Sequence, residues 1–469
     1  MEELNQYIYN FANRLVNSFS SIVFVIILGN TLSQEEVGIY SLVLLASAYA
    51  ISLLTLKINP SIIQRLNDTK NKNLLNQYFT AGLISTLAFS VLIVSIYYTF
   101  SNMIMDGFNL ENKNFIYLAS FLAFTLTIRG YVDHILMSLL QNKYLFFISS
   151  IAFVVNIISY FILANIYSSS IEVAIYSIYI ANILYVVMGI FKIFQYYKFL
   201  IDKNILLCIK SIMTFSFIVY FVSLADFMNS NIALLIINQH LGKEDVAVYN
   251  YAIKIAMLFL IIGASISNVN YPKMTKLFSE NKIDEISNLL TVTLKMNFYF
   301  ILICSIIFLS ISNEIIALIL PPEYQSMVEL LFIILPGIVL FSGFMAIKSL
   351  FNALNMPSVG LLIVWGSLIL NVIFSLILVP KYGLYGGAVS TIISFLFNPL
   401  CIIFLIRIKT DFVIDFSFLY FIFPFYLISV YLVYQFQSEI GIKLVISMVF
   451  ILFASLITNP IKIYRRYKK

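Results

Sequence analysis

The sequence predicts an all-α integral membrane protein with about fourteen transmembrane helices, and three observations support this fold class. First, 61% of the 469 residues are hydrophobic and only 11% are charged, whereas an average soluble protein has about 25% charged residues. Second, the apolar residues form runs longer than the ~18–20 residues that a helix needs to cross a bilayer. Third, lysine and arginine are distributed unevenly between the loops. So little charge cannot cover a water-exposed surface, which excludes soluble enzymes, nucleic-acid-binding domains and disordered scaffolds.

The apolar runs predict the individual spans. They are too long for strands and lack the alternation of an outer-membrane barrel. The first run has no small-residue cleavage site, so we interpret it as a retained span and not as a signal peptide. The fourteen predicted spans are residues 11–31, 37–57, 78–101, 115–140, 144–167, 171–195, 210–239, 246–270, 291–312, 328–354, 358–379, 385–407, 416–434 and 441–458.

The basic residues predict the orientation of these spans. With a cytoplasmic N-terminus, 21 of the 28 lysine and arginine residues fall in inside segments, four in outside loops and three within spans. This asymmetry follows the positive-inside rule and places both termini in the cytoplasm. It also accounts for the net charge of +6, which faces anionic cytoplasmic lipid and does not indicate nucleic acid. The four outside residues are Lys113, Lys243, Lys381 and Lys443.

The remaining composition predicts neither a catalytic nor a metal site. The three cysteines, Cys208, Cys304 and Cys401, lie in or beside apolar runs and form no CxxC motif, which argues against a disulfide framework and a metal site. The two histidines, His134 and His240, are far apart in the chain. No phosphate-binding loop and no GxGxxG motif is present. We therefore expect a protein that is not an enzyme, with no cofactor and no bound metal.

An internal repeat divides the chain into two halves. The segment Leu32-Ser-Gln-Glu-Glu-Val-Gly-Ile-Tyr40 is similar to Leu241-Gly-Lys-Glu-Asp-Val-Ala-Val-Tyr249, and each is followed by a span, a proline and a lysine-containing segment. We predict a six-helix bundle in residues 1–200, a second in 201–410, and two extra helices with a basic tail in 411–469. Because six is even, the halves have the same orientation, which in secondary transporters places a substrate site between them near the midplane. Chance similarity among isoleucine-rich helices is the alternative.

Four stretches of the chain carry a resemblance to a known family. They are the segments 32–40 and 241–249, the segment Tyr271-Pro-Lys-Met-Thr-Lys-Leu277, and Asn371-Val-Ile-Phe-Ser-Leu-Ile-Leu-Val-Pro-Lys-Tyr-Gly-Leu-Tyr-Gly-Gly-Ala-Val-Ser-Thr391. These stretches resemble the polysaccharide flippases of the O-antigen and capsule type. That family belongs to the superfamily of multidrug and toxin extruders and lipid II flippases. The resemblance covers about residues 10–407. One departure is Ala247 at the position of Gly38, where the family usually has glycine.

The resemblance implies a function, a location and partners. It implies a flippase that moves an undecaprenyl-pyrophosphate-linked oligosaccharide from the cytoplasmic to the periplasmic leaflet by alternating access. The location implied is the bacterial inner membrane. The implied partners are the lipid-linked substrate, membrane lipid and a polysaccharide polymerase or chain-length regulator, with no nucleic acid. Two rival functions stay open: a drug or cation exporter of the same superfamily, and a membrane glycan polymerase or ligase.

Basic residues within spans are the candidates for substrate binding. An ionisable side chain near the bilayer centre costs about 3 kcal/mol or more, so it should face a cavity or a partner. Arg129 and Lys254 are such residues, and Lys348 lies nearer the cytoplasmic end of the tenth span. The multiple donors of these side chains suit a pyrophosphate. We interpret them as lining a cationic lumen. Asp133 lies four residues after Arg129 and shares its helix face, so a self-neutralised pair that merely packs the helix is the alternative.

Acidic and amide residues within spans are candidates for ion coupling or for lining the lumen. Asp226 begins a polar stripe in the seventh span and aligns with Asn17 of the first span at the repeat offset. We therefore expect Asp226, Asp133 and Asn17 to line the cavity. A salt bridge from Asp226 to Lys254 or Arg129 is a compatible alternative. For His134 we favour a buried, hydrogen-bonded role over a proton relay.

Overall fold

A computed structural model describes residues 2–69, 71–280, 282–348, 357–410 and 412–458. These residues form sixteen α-helices and one short 3-10 turn (Pro322–Tyr324), without a strand. The first eight helices are α1 (Glu2–Thr31), α2 (Gln34–Leu54), α3 (Ile58–Asp68), α4 (Lys72–Thr99), α5 (Ser101–Gly107), α6 (Lys113–Ser138), α7 (Asn142–Tyr167) and α8 (Ile171–Ile193). The others are α9 (Ile205–His240), α10 (Lys243–Met257), α11 (Leu260–Ser279), α12 (Ile283–Ile319), α13 (Met327–Lys348), α14 (Pro357–Lys409), α15 (Ser417–Gln435) and α16 (Ile440–Thr458).

The predicted fold class is confirmed. In the part of the chain that the structure describes, thirteen helical stretches are long and apolar enough to cross a membrane. The longest of these stretches lies within α14 and contains two of the fourteen predicted spans. Between these two spans the backbone leaves helical geometry at Gly383 (φ 56°, ψ −134°). A positive φ costs glycine little, so the bend between the two spans is made there.

The chain folds as two compact units. The first comprises Met1–Phe227 with Leu241–Ala247, and the second comprises Met228–His240 with Val248–Lys469. In the first unit α6 packs against α2, α4 and α8, while α7 packs against α1 and α8. In the second unit α13 packs against α11, α12 and α14. The predicted boundaries at residues 200 and 410 stay predictions.

The repeated loop segments are helix N-termini. Ser33 caps α2, and the Glu36 carboxylate accepts the backbone N–H of Ser33 at 2.9 Å. At the aligned position Asp245 accepts the backbone N–H of Gly242 at 3.3 Å. Both acidic side chains thus satisfy a donor three residues earlier that the helix itself leaves unpaired. Glu36 and Asp245 therefore have the same architectural role at the N-terminus of α2 and of α10.

Gly38 is a point of close approach in the first unit. A Cβ added there would lie 1.9 Å from the backbone oxygen of Lys243, so only glycine fits against that carbonyl. Ala247 aligns with Gly38, is fully buried and carries a Cβ. The departure noted between the two repeats therefore marks a real difference in packing around the two positions.

A buried polar network joins α9 to α14 in the second unit. The amide of Asn371 donates to the carbonyl and the side-chain oxygen of Asn229 at 2.7 and 3.0 Å. Asn229 donates to Ser367 at 2.9 Å, and Ser367 donates to the carbonyl of Ser394 at 2.7 Å. Interhelical hydrogen bonds of this kind hold helices together in lipid, where hydrophobic attraction between helices is weak. The motif asparagine Asn371 is thus a packing residue.

A buried ion pair attaches the two C-terminal helices. Lys443 of α16 is 1% exposed, and its ammonium lies 2.5 Å from a carboxylate oxygen of Glu314 in α12. Ser310 and Ser447 hydrogen-bond at 2.6 Å beside it. The sequence placed Lys443 among the outside-loop residues, whereas the structure buries it between helices.

The segment that leads to α15 is fastened to α12. The ammonium of Lys295 donates to Asp415 at 2.6 Å, and this bond, with a second from Ser417, lowers the pKa of Asp415 to about 2. The backbone N–H of Asp415 donates to Thr291 at 3.2 Å. Helix α15 is therefore held close to α12 from its first residues.

We expect Gly38→Ala to destabilise the protein by about 1–3 kcal/mol, because the new methyl group must displace a backbone carbonyl that cannot rotate away. The thermal unfolding midpoint in detergent measures the effect. Gly441→Ala is the matched control, since nothing lies within 4 Å of a Cβ at Gly441. Equal midpoints for the two variants would contradict the prediction.

Glu314→Gln should lower the unfolding midpoint more than Lys443→Met does. The first variant leaves a buried ammonium without its counter-charge, which costs about 3–5 kcal/mol. The second leaves the carboxylate of Glu314, whose side chain is 38% exposed, so a rotation of this side chain can bring its oxygens to water. The double variant should recover most of the loss, because an apolar replacement for a buried ion pair is often neutral. A double variant no more stable than Glu314→Gln would rule out this account of the pair.

Candidate functional site

The candidate site of the first unit is centred on Arg129 in α6. One terminal nitrogen, Nη1, donates to the side-chain oxygen of Asn182 in α8 at 2.8 Å. The other, Nη2, donates to the side-chain oxygen of Asn17 in α1 at 3.0 Å. Asn182 is 0% exposed, while Arg129 and Asn17 are half-buried. The guanidinium is therefore clamped by two amide oxygens from two other helices.

Tyr185 connects Arg129 to Asp133. The guanidinium carbon of Arg129 lies 4.3 Å from the centre of the Tyr185 ring, within the range of a cation–π interaction. The Tyr185 hydroxyl donates to a carboxylate oxygen of Asp133. Among the described residues, the ion pairs do not include a direct contact between Arg129 and Asp133. The expected pairing within α6 is thus indirect, through an aromatic side chain of α8.

Helical spacing builds this cluster. Arg129 and Asp133 are four residues apart on α6, and Asn182 and Tyr185 are three apart on α8, so each pair shares one helix face. On α1, Asn17 donates to the side-chain oxygen of Asn13 at 3.3 Å. The apolar helices α1, α6 and α8 thus each contribute two polar residues to one hydrogen-bonded cluster.

The geometry leaves Arg129 able to bind an anion. A guanidinium has five N–H donors, and hydrogen bonds to side chains occupy two of them. The two acceptors are neutral amides, so the positive charge is not cancelled by a carboxylate in direct contact. A cation in such a semi-polar environment attracts anions more strongly than it would in water.

The second unit contains Lys254, the other basic candidate that the structure describes. It lies in α10, and its Nζ is buried without a hydrogen-bond partner among the described residues. A buried ammonium without partners is costly, so an anionic ligand at Lys254 would be strongly favoured. The role of Lys254 stays a prediction.

The other expected residues have different outcomes. Asp226 is half-buried in α9, and its coupling role stays a prediction. Lys348 ends α13, but its side chain lies outside the described residues. His134 bonds through Nδ1 to the carbonyl of Gly130 at 2.7 Å, the hydrogen-bonded arrangement that we favoured. Within the described part of the chain, His, Cys, Asp and Glu side chains form no group that could hold a metal ion.

Sequence reasoning missed Asn13, Asn182 and Tyr185. The signal was present for Asn182, since the sequence places an amide in the middle of an apolar span, where it requires a partner. Tyr185 carried no usable signal, because it is one of 31 tyrosines. Only the packing of α8 against α6 selects it.

Family models match both halves of the chain. A model described as "Polysaccharide biosynthesis protein" matches residues 4–278, and a model described as "MatE" matches residues 220–377. The first match covers more than half of the chain and includes every residue of the Arg129 cluster.

Two curated proteins are similar in sequence. A probable low-salt glycan biosynthesis flippase, Agl15 of Haloferax volcanii, is 23% identical over 48% of this chain. The chain spans about half, 47%, of the length of that relative. The capsular polysaccharide biosynthesis protein CapF of Staphylococcus aureus is 23% identical over 82% of this chain and 94% of its own length.

Solved structures share the fold. The lipid II flippase MurJ, in an inward closed conformation, has a TM-score of 0.73 at 17% identity and covers 99% of this chain and 100% of its own. An inward-facing multidrug resistance MATE transporter has a TM-score of 0.66 at 16% identity, with 86% of this chain and 96% of its own covered. At this identity the likeness supports the fold alone.

A double-mutant cycle of Asn182→Leu and Arg129→Met should reveal strong coupling between the two residues. Hydrogen bonds to a charged group contribute about 1.5–3 kcal/mol, so Asn182→Leu should destabilise the wild-type protein clearly. In the Arg129→Met background it should cost much less, since the donor is gone. The measurement is the thermal unfolding midpoint of the four purified proteins. An equal loss in both backgrounds would show that Arg129 does not depend on Asn182.

Proposed function

Because the chain belongs to the polysaccharide biosynthesis protein family, we propose that it is a flippase for a lipid-linked oligosaccharide. The substrate is an undecaprenyl-pyrophosphate-linked repeat unit of O-antigen, capsule or a related surface polysaccharide. It moves from the cytoplasmic to the periplasmic leaflet by alternating access of the two halves. The protein acts as a secondary-type transporter in the bacterial inner membrane, with both termini in the cytoplasm, and delivers substrate to a polysaccharide polymerase or chain-length regulator.

One observation supports this proposal: among the described residues, side-chain hydrogen bonds occupy only two of the five N–H donors of the clamped, half-buried Arg129 guanidinium, which lies within a membrane-spanning helix. A pyrophosphate offers several oxygens that accept charge-assisted hydrogen bonds, and a planar guanidinium can engage two of them at once. Asn17 and Asn182 fix its orientation, so little side-chain entropy is lost when the head group binds. Lys254 contributes a second positive charge, and Lys348 a third.

The lipid tail and the head group have different requirements. The pyrophosphate and sugars must be shielded from hydrocarbon, while the prenyl chain is itself apolar. We propose that the head group crosses beside the polar cluster and that the prenyl chain stays in lipid, between helices. Protonation of Asp133 or Asp226, or Na⁺ binding there, would couple transport to an ion gradient. Lumen-lining Asn17 accepts from Arg129 and therefore positions the basic group.

A drug or cation exporter is the second candidate, and the match of residues 220–377 to the MatE model favours it. A lumen that binds cations should be acidic, whereas the described cluster of the first unit centres on Arg129 and contains one carboxylate, Asp133. The two functions are separated by phenotype. An exporter would change drug susceptibility without changing surface polysaccharide.

Complementation of a flippase-null strain tests the proposal. At equal protein levels, Arg129→Ala and Lys254→Ala should each lower polysaccharide display about tenfold or more, since each removes charge-assisted hydrogen bonds to the head group. Lys113→Ala is the matched control, because Lys113 is an exposed lysine at the start of the same helix as Arg129. Lipid-linked repeat units should accumulate in the defective strains. Full display by both variants would refute the head-group assignment.

A further inference from the structure

A groove in the second unit lies outside the proposed transport site. It has a volume of about 430 Å³ and is walled by α13, α15 and the second span of α14. This volume falls within the ~300–1,000 Å³ typical of small-molecule sites. Glu329 lies at its α13 wall and Tyr385 at its α14 wall. Both are close to the ends of their spans that the positive-inside pattern predicts to be outside.

The walls combine aromatic rings with one carboxylate. On α13, Glu329 and Phe332 are three residues apart, and on α15, Leu427, Tyr431 and Tyr434 follow helical spacing, so each set faces the groove together. The rings of Phe332 and Tyr434 meet edge to face with centroids 5.4 Å apart. This contact joins the α13 wall of the groove to the α15 wall.

Within the described part of the chain, no basic side chain forms an ion pair with the carboxylate in the groove. Tyr385 donates its hydroxyl to one oxygen of Glu329, and none of the ion pairs of the described residues involves Glu329. The Glu329 side chain is half-buried. A half-buried carboxylate paired only with a neutral phenol, among aromatic faces, favours a cationic ligand, and aromatic rings bind ammonium groups well.

The groove opens toward lipid. On its α15 wall Tyr431 is 60% exposed and Leu427 is 43% exposed, and α15 is one of the predicted spans. Its occupant must therefore join an ammonium group to an apolar body. We propose that this groove binds a phospholipid with an ammonium head group, such as phosphatidylethanolamine, with the ammonium on Glu329 and an acyl chain along the apolar part of the α15 wall.

The test uses the full chain, purified in detergent, with dioleoyl-phosphatidylethanolamine and dioleoyl-phosphatidylglycerol as probes. Native mass spectrometry counts the retained lipid, and the unfolding midpoint measures stabilisation. The wild-type protein should retain the ethanolamine lipid about tenfold better than the glycerol lipid, and Glu329→Gln should abolish this preference. Glu439→Gln is the matched control, since Glu439 is exposed at the end of the loop between α15 and α16 and outside the groove.

Two further measurements distinguish binding of the phospholipid from binding of another ligand. Tyr431→Leu removes a ring from the exposed wall and should weaken the preference in part, even if Glu329→Gln fails to fold. Free ethanolamine at the same concentration should give no shift in the midpoint. Equal retention of both lipids, an unchanged preference in Glu329→Gln, or an equal shift with free ethanolamine would each overturn the proposal. Flippase activity is not part of the readout, so failure of the transport proposal would not affect it.

Discussion

The structure depends on one constraint: in hydrocarbon there is no water to satisfy a polar group. Every backbone N–H and C=O of a span must be paired within its own helix, and this makes the spans in the described part of the chain helical. The same constraint applies to side chains. A polar residue inside a span must find a partner on a neighbouring helix, and its choice of partner then fixes how the helices pack.

Three polar clusters meet this constraint in different ways. The network around Asn229 and Asn371 is fully buried and joined by hydrogen bonds between neutral groups, so it serves packing. The pair of Lys443 and Glu314 neutralises its charges by direct contact and attaches the C-terminal helices. The Arg129 cluster differs, because neutral amide oxygens contact the guanidinium directly, while its one carboxylate, Asp133, is linked to it through Tyr185. Among the described residues, this lack of a direct ion pair, and not burial alone, distinguishes the candidate binding site from the structural clusters.

Family membership and side-chain geometry support the functional proposal from independent directions. The family model covers the first unit and describes polysaccharide biosynthesis, while the likeness to MurJ and MATE structures gives a transporter fold at low identity. Neither the family match nor the structural likeness identifies a substrate-binding residue. The contacts of Arg129 suggest one, because they hold a cation in an orientation that suits an anionic head group. The groove at Glu329 carries a negatively charged carboxylate and opens toward lipid. We therefore expect its ligand to differ from that of the Arg129 cluster.

The sequence by itself determined the fold class, the spans and the repeat, because span length and charge asymmetry are properties of the chain read locally. It also proposed Arg129, Asp133 and Asn17 as candidates, since a charged or amide side chain stands out in an apolar run. Only the tertiary structure decided which residues meet: Tyr185 between Arg129 and Asp133, Asn182 on Arg129, and Lys443 buried on Glu314. The physical reason is that hydropathy shows how far a helix is apolar but not which face meets which neighbour. That choice is made by packing among many similar helices.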